Sequence, residues 1–152
     1  MKTLISPTPN QHPQRRRGAA LVEAAVVLPI FFLAIIGIVE FGRGMMVAQL
    51  VTNAAREGAR RAVLDGSTNT GVETYITDRL AAPLNISSTD ISITIEITPD
   101  PRNTTTGHNL ADAQPYDQVT VAVSVPFDKV SFTAGRYLAG KTLKSETTMQ
   151  HE

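Results

Sequence analysis

The chain contains no cysteine and no tryptophan, and only 5 % of its residues are aromatic. Without cysteine there is no disulfide and no cysteine-ligated zinc. Any part of the chain outside the cytoplasm must then be held by packing alone or by assembly with partners. With so few rings, its core must be mainly Ile, Val, Leu and Ala. An excess of either charge is also missing: 14 Lys and Arg balance 14 Asp and Glu. That balance removes the general electrostatic argument for nucleic acid or an acidic partner. No glycine-rich phosphate loop and no serine–histidine–acid arrangement is present, so nothing argues for an enzyme, a catalytic residue or a cofactor.

What the chain does have is one long apolar run. Ala19 to Val39 carries a single charge, Glu23, and a single helix-breaker, Pro29, and it follows Arg15-Arg16-Arg17-Gly18. At about 1.5 Å per residue, an α-helix of that length spans roughly 30 Å, the thickness of a bilayer's hydrocarbon core. A secretory signal would have a shorter apolar core with a small-x-small site after it. Here the run ends in Val39-Glu40-Phe41-Gly42-Arg43, without such a site. The reading is a single-pass protein in the lipid bilayer. Lys2 and the orientation signal Arg15, Arg16 and Arg17 keep the N-terminus in the cytoplasm. Arg43, Arg56, Arg60 and Arg61 follow the span, but a long folded domain crosses largely regardless of its charge.

Glycine at the basic–apolar junction, with an acid at the fifth position after it, points to a dedicated peptidase rather than ordinary signal peptidase. Glu23 is the sharpest feature of the span, because an ionised carboxylate inside a bilayer costs several kcal/mol unless paired. If cleavage follows Gly18, the new ammonium of Ala19 on a neighbouring copy is a natural partner for Glu23. The plainer alternative places Glu23 at headgroup level.

Three regions follow. Residues 1–18, with Pro7, Pro9 and Pro13, read as a disordered basic cytoplasmic leader. Residues 19–41 read as the transmembrane helix, and residues 42–152 as an extracytoplasmic α+β head. Within the head, Val47, Leu50, Val51, Ala54, Ala55, Gly58 and Ala62 recur at helical steps and mark a buried face continuing the span's helix. That face is small-sided at Ala54, Ala55, Gly58 and Ala62, so something packs close to the backbone there. Glu57 and Arg61 are spaced for an i, i+4 pair. Asp65-Gly66 stops the helix, and Val72 to Ala81 predicts a short second helix ended by Pro83.

The period then changes. Ile91, Ile93, Ile95 and Ile97 alternate with polar residues, as do Val119, Val121, Val123 and Val125, and Leu143 to Gln150 alternates more weakly. The fold class is therefore α+β, with a small antiparallel β-sheet of about three strands. The loop 98–118 carries Asp100, Asn103, Asn109, Asp112 and Asp117. These are oxygen groups calcium could use, but they lack a ligand rhythm, and a solvated loop without metal is the simpler reading. His12, His108 and His151 read as surface histidines without a ligand set.

The segment Arg15 to Pro29 (RRRGAALVEAAVVLP) resembles the N-terminal signature of TadE-like proteins of the tight-adherence pilus machinery. The resemblance continues through Gly37-Ile38-Val39-Glu40-Phe41-Gly42-Arg43 and Asn53 to Arg60. It returns more weakly at Val119 to Phe127 and Thr147 to Glu152, and is absent across Ser67 to Gln114. One position departs: Ala24 follows the acid, where related pilins often have an aromatic residue. The resemblance implies a bacterial pseudopilin of the inner (cytoplasmic) membrane, with its C-terminal domain extracytoplasmic. It implies processing between Gly18 and Ala19 by a prepilin peptidase and Glu23 as the assembly acid. The implied partners are other pilin-like subunits or copies of itself and the pilus assembly machinery. The alternative is an uncleaved, membrane-anchored binding or adhesion module acting through the long loop.

Overall fold

In the computed structural model, which describes residues 14–104, 107–131 and 140–151, the chain divides into two units, Met1–Ile38 and Val39–Glu152. Helix α1 runs Gln14–Ala62 without a break at Pro29, Gly42 or Gly44. It takes in Arg15 to Gly18; the residues before Gln14, expected to form the leader and including His12, lie outside the described residues.

In the first unit the large apolar side chains Leu21, Val22, Val26, Ile30, Phe31 and Leu33 are all exposed. By length and composition this helix is able to cross a membrane, and none of its most apolar stretch is covered by protein. Pro29 leaves one carbonyl of the preceding turn without its amide partner, a defect membrane helices tolerate.

The second unit is the α+β body expected from the change of period. Helix α2 spans Asn69–Leu84, and three antiparallel strands follow: β1 (Ser92–Thr98), β2 (Gln118–Pro126) and β3 (Thr142–Gln150). The sheet order is β1-β2-β3, with Ile95 opposite Val121 and Val121 opposite Thr147. Because β2 is central, its Val119, Val121, Val123 and Val125 are completely buried. They share one core with Val47, Val51, Ala55 and Ala59 of α1 and with Val72, Ile76, Leu80 and Leu84 of α2.

The small-sided stripe has a specific cause. A Cβ built on Gly58 would collide with Ile76 Cδ1, lie 2.9 Å from Ile76 Cγ1 and sit 3.5 Å from Val121 Cγ1. Helix α2 and strand β2 therefore meet α1 at a point where only glycine fits.

Two expectations need correction. Helix α2 is longer than the apolar pattern implies, and Pro83 lies inside it rather than ending it. Thr68 supplies the N-cap, its hydroxyl accepting from Gly71 N, and Asn85 ends the helix in the left-handed region at φ 53°. The start is thus set by a cap and the stop by an αL residue, with proline accommodated in the last turn. Glu57, in turn, pairs with Arg79 at 3.0 Å, while Arg61 lies over the Tyr75 ring, 3.6 Å from its centroid. The tertiary partner displaces the local i, i+4 one.

Candidate functional site

Gly18, Ala19 and Glu23 stand in the first unit on the helix that opens the apolar run, and all three are exposed. A Cβ on Gly18 would meet nothing within 4 Å, so no packing within the fold demands glycine there. Ala19 and Glu23 are one turn apart and share a helix face. Arg15, Arg16 and Arg17 are helical, and their side chains lie outside the described ones.

A second cluster, in the other unit, escaped the sequence reading. Glu40 is only 1 % exposed. Its Oε1 accepts from the Ser131 hydroxyl, and its Oε2 is buried without a hydrogen-bond partner among the described residues. One turn on, Arg43 Nε donates to the Val130 carbonyl at 2.8 Å. Glu40 and Arg43 thus tie the base of the head's helix to the turn that follows β2. The signal was available: Glu40 falls on the same helical face as Gly44, Val47 and Val51, so the stripe continues backwards onto a charge. Burying a polar oxygen without a hydrogen-bond partner carries a desolvation cost.

The long loop is organised rather than merely solvated. Asp117 is fully buried, accepting from Asp100 N and Gln114 N at 2.9 Å and from Asn103 Nδ2 at 2.7 Å. Asp100 is also held by Arg102, whose guanidinium keeps its carboxyl below the usual range. Asn109 caps the short turn Leu110–Asp112. Asn69 at the start of α2 donates to His108 O and accepts from Leu110 N, pinning the loop to the helix. Among these loop oxygens, those of Asp117, Asp100 and Asn109 accept from loop amides and from arginine. Among the described residues no group of three or more His, Asp or Glu could hold a metal ion. His151 is not a surface residue but is buried, and its backbone N–H donates to Asp117 O at 2.8 Å. His108 is exposed, and its Nδ1 accepts from Ile97 N at 3.3 Å.

Glu57 joins α1 to α2. It accepts from the Tyr75 hydroxyl at 2.5 Å and from Arg79 Nε at 3.2 Å. The Tyr75 hydrogen bond, then the Arg79 guanidinium, hold its carboxyl below its ordinary value.

Residues 18–60 match the family model of TadE-like protein. This segment is TadE-like. The match opens on Gly18 and includes Glu23, Glu40, Arg43, Glu57 and the Gly58 contact, so it unites the junction with the head's helical stripe. The TadE-like family belongs to the tight-adherence pilus system and is structural rather than catalytic. No curated protein and no solved structure matches the chain.

Proposed function

We propose that this chain is a membrane-anchored pseudopilin of tight-adherence pilus assembly, processed by a prepilin peptidase after Gly18. One observation carries the reading. The family match starts at a glycine with no packing role, at the basic edge of an uncovered apolar helix, five residues before a lone acid. In this reading Ala19–Phe41 lies in the inner membrane, with the N-terminus cytoplasmic and the head outside.

Cleavage at that point makes Ala19 the first residue of α1. The Glu23 carboxylate then lies at the end of the first turn, where a helix's unpaired amides favour negative charge. In a poorly solvated site the ammonium of Ala19 on one subunit and Glu23 on the next would neutralise each other. The partners are the peptidase, the assembly machinery and pilin-like subunits or further copies of this chain. The role is structural, not enzymatic.

Gly18→Leu tests this directly. Coexpressed with a prepilin peptidase, the variant should stay full-length in the membrane while the wild type shortens. Equal processing of both would overturn Gly18 as the processing position. Retention of the leader by both would favour the uncleaved binding module.

A further inference from the structure

Among the described residues the sheet ends in two edge strands, β1 and β3, and β3 is the longer. The Phe127 N–H donates to Lys141 O at 2.8 Å and the His151 N–H donates to Asp117 O at 2.8 Å. With Val125 opposite Leu143 and Val119 opposite Met149, these bonds place the odd-numbered residues of β3 in the hydrogen-bonded pairs with β2. Antiparallel alternation then turns the N–H and C=O groups of Thr142, Lys144, Glu146, Thr148 and Gln150 away from β2. Among the described residues no strand pairs with them.

Edges of this kind are usually blunted by charge. The charges here are arranged differently. Lys144 and Glu146 flank Ser145 on the sheet's outer face, 60 % and 53 % exposed, with Lys144 Nζ 3.1 Å from Glu146 Oε2. A strand with opposite charges placed symmetrically about its centre is complementary to itself run backwards.

We propose that β3 is a self-association edge that pairs antiparallel with β3 of a second copy, about a two-fold axis at Ser145. In that register Lys144 of each copy lies opposite Glu146 of the other, and Thr142 lies opposite Thr148. Both belong to the set with outward-facing backbone groups, so the ladder and the ion pairs form together. Sliding the partner by one pair in either direction places Lys144 against Lys144, or Glu146 against Glu146, and like charges directly opposite repel. A slip of one residue sets outward-facing groups against inward-facing ones and turns every side chain to the wrong face. Of these neighbouring registers, only the one centred on Ser145 sets opposite charges across the axis. Strand β1 offers nothing comparable, since Glu96 is the only charge between Ser92 and Thr98. The pairing joins two three-stranded sheets, closes on itself as a two-fold contact must, and does not depend on cleavage after Gly18.

The absence of cysteine makes the test clean. Ser145 meets its own copy in a non-hydrogen-bonded pair, with Cα atoms about 4.5 Å apart, within disulfide range. The full chain carrying Ser145→Cys, in mild detergent under gentle oxidation, should crosslink as a dimer, while Thr94→Cys on the β1 edge should not. In the Ser145→Cys background, Lys144→Glu or Glu146→Lys alone should reduce the crosslink at least tenfold. Mixing those two variants, or combining both changes in one chain, should restore it, because each arrangement again sets opposite charges across the axis. Both side chains are exposed, so the charge changes leave the fold intact. No crosslink at Ser145→Cys, or a crosslink indifferent to Lys144→Glu, would overturn the proposal.

Discussion

Gly58 offers the sharpest test of how the head is packed, because two effects of opposite sign compete there. In a helix interior alanine is favoured over glycine by about 1 kcal/mol. Gly58→Ala would therefore stabilise the protein if the position were open. Instead the added methyl meets Ile76 Cδ1 in direct collision and Ile76 Cγ1 at 2.9 Å, and Ile76 is itself fully buried. Overpacking a closed core costs about 1–3 kcal/mol. Set against the helix gain of about 1 kcal/mol, that leaves a net loss of up to about 2 kcal/mol, less where Ile76 rotates away. For a domain of this size that lowers the melting temperature by several degrees.

Ile76→Val removes Cδ1 and alone should cost about 1 kcal/mol. Combined with Gly58→Ala it should cost less than the sum of the two by about 1 kcal/mol, since the smaller side chain admits the new methyl. Thermal melts of the full chain in detergent, followed by circular dichroism, would supply the cycle. A Gly58→Ala variant more stable than wild type, or additive with Ile76→Val, would refute the close approach of α1, α2 and β2.

Three further outcomes follow from other sites. Asp117→Ala should destabilise the head by about 3 kcal/mol by leaving buried donors without their acceptor, and amides at Asp100 and Gln114 should exchange faster with deuterium. Acidification should weaken the α1–α2 contact. Tyr75 and Arg79 hold the Glu57 pKa below its ordinary value of 4.5, so its contribution is complete above that pH and is lost as pH falls through the folded-state value. Glu57→Gln should flatten this part of a stability-versus-pH curve, and an unchanged curve would remove Glu57 as the source. Glu23→Gln should abolish assembly but leave membrane insertion intact, since uncovering a buried ammonium costs about 3–5 kcal/mol. Pulldown of tagged by untagged protein reads this, and assembly at the wild-type level would place Glu23 at the headgroups.

The parts of this fold legible in the sequence are those set by periodicity. Alternation at Ile91–Ile97 and Val119–Val125 locates β1 and β2, because a half-buried strand must repeat every second residue. The small stripe on α1 reports a close neighbour without naming it. What escaped was decided by contacts between distant residues. Glu57 looked outward to Arg61 along its helix, yet its partners Tyr75 and Arg79 come from α2. Pro83 looked like a stop, but a helix ends where its caps lie, and Asn85 is that cap. Asp117 sat in a polar loop and read as solvated, although the loop folds around it to bury the carboxylate. Glu40 closes the apolar run in the sequence, and its burial depends on Ser131, 91 positions further along the chain. At Gly18 and Glu23 the position is different: a Cβ on Gly18 would meet nothing within 4 Å and Glu23 is exposed, so packing among the described residues accounts for neither.

The most direct measurement is the intact mass, with N-terminal sequencing, of the protein extracted from membranes of cells that also make a prepilin peptidase. The account predicts a mature chain beginning at Ala19. A chain that keeps Met1–Gly18 under those conditions would contradict it.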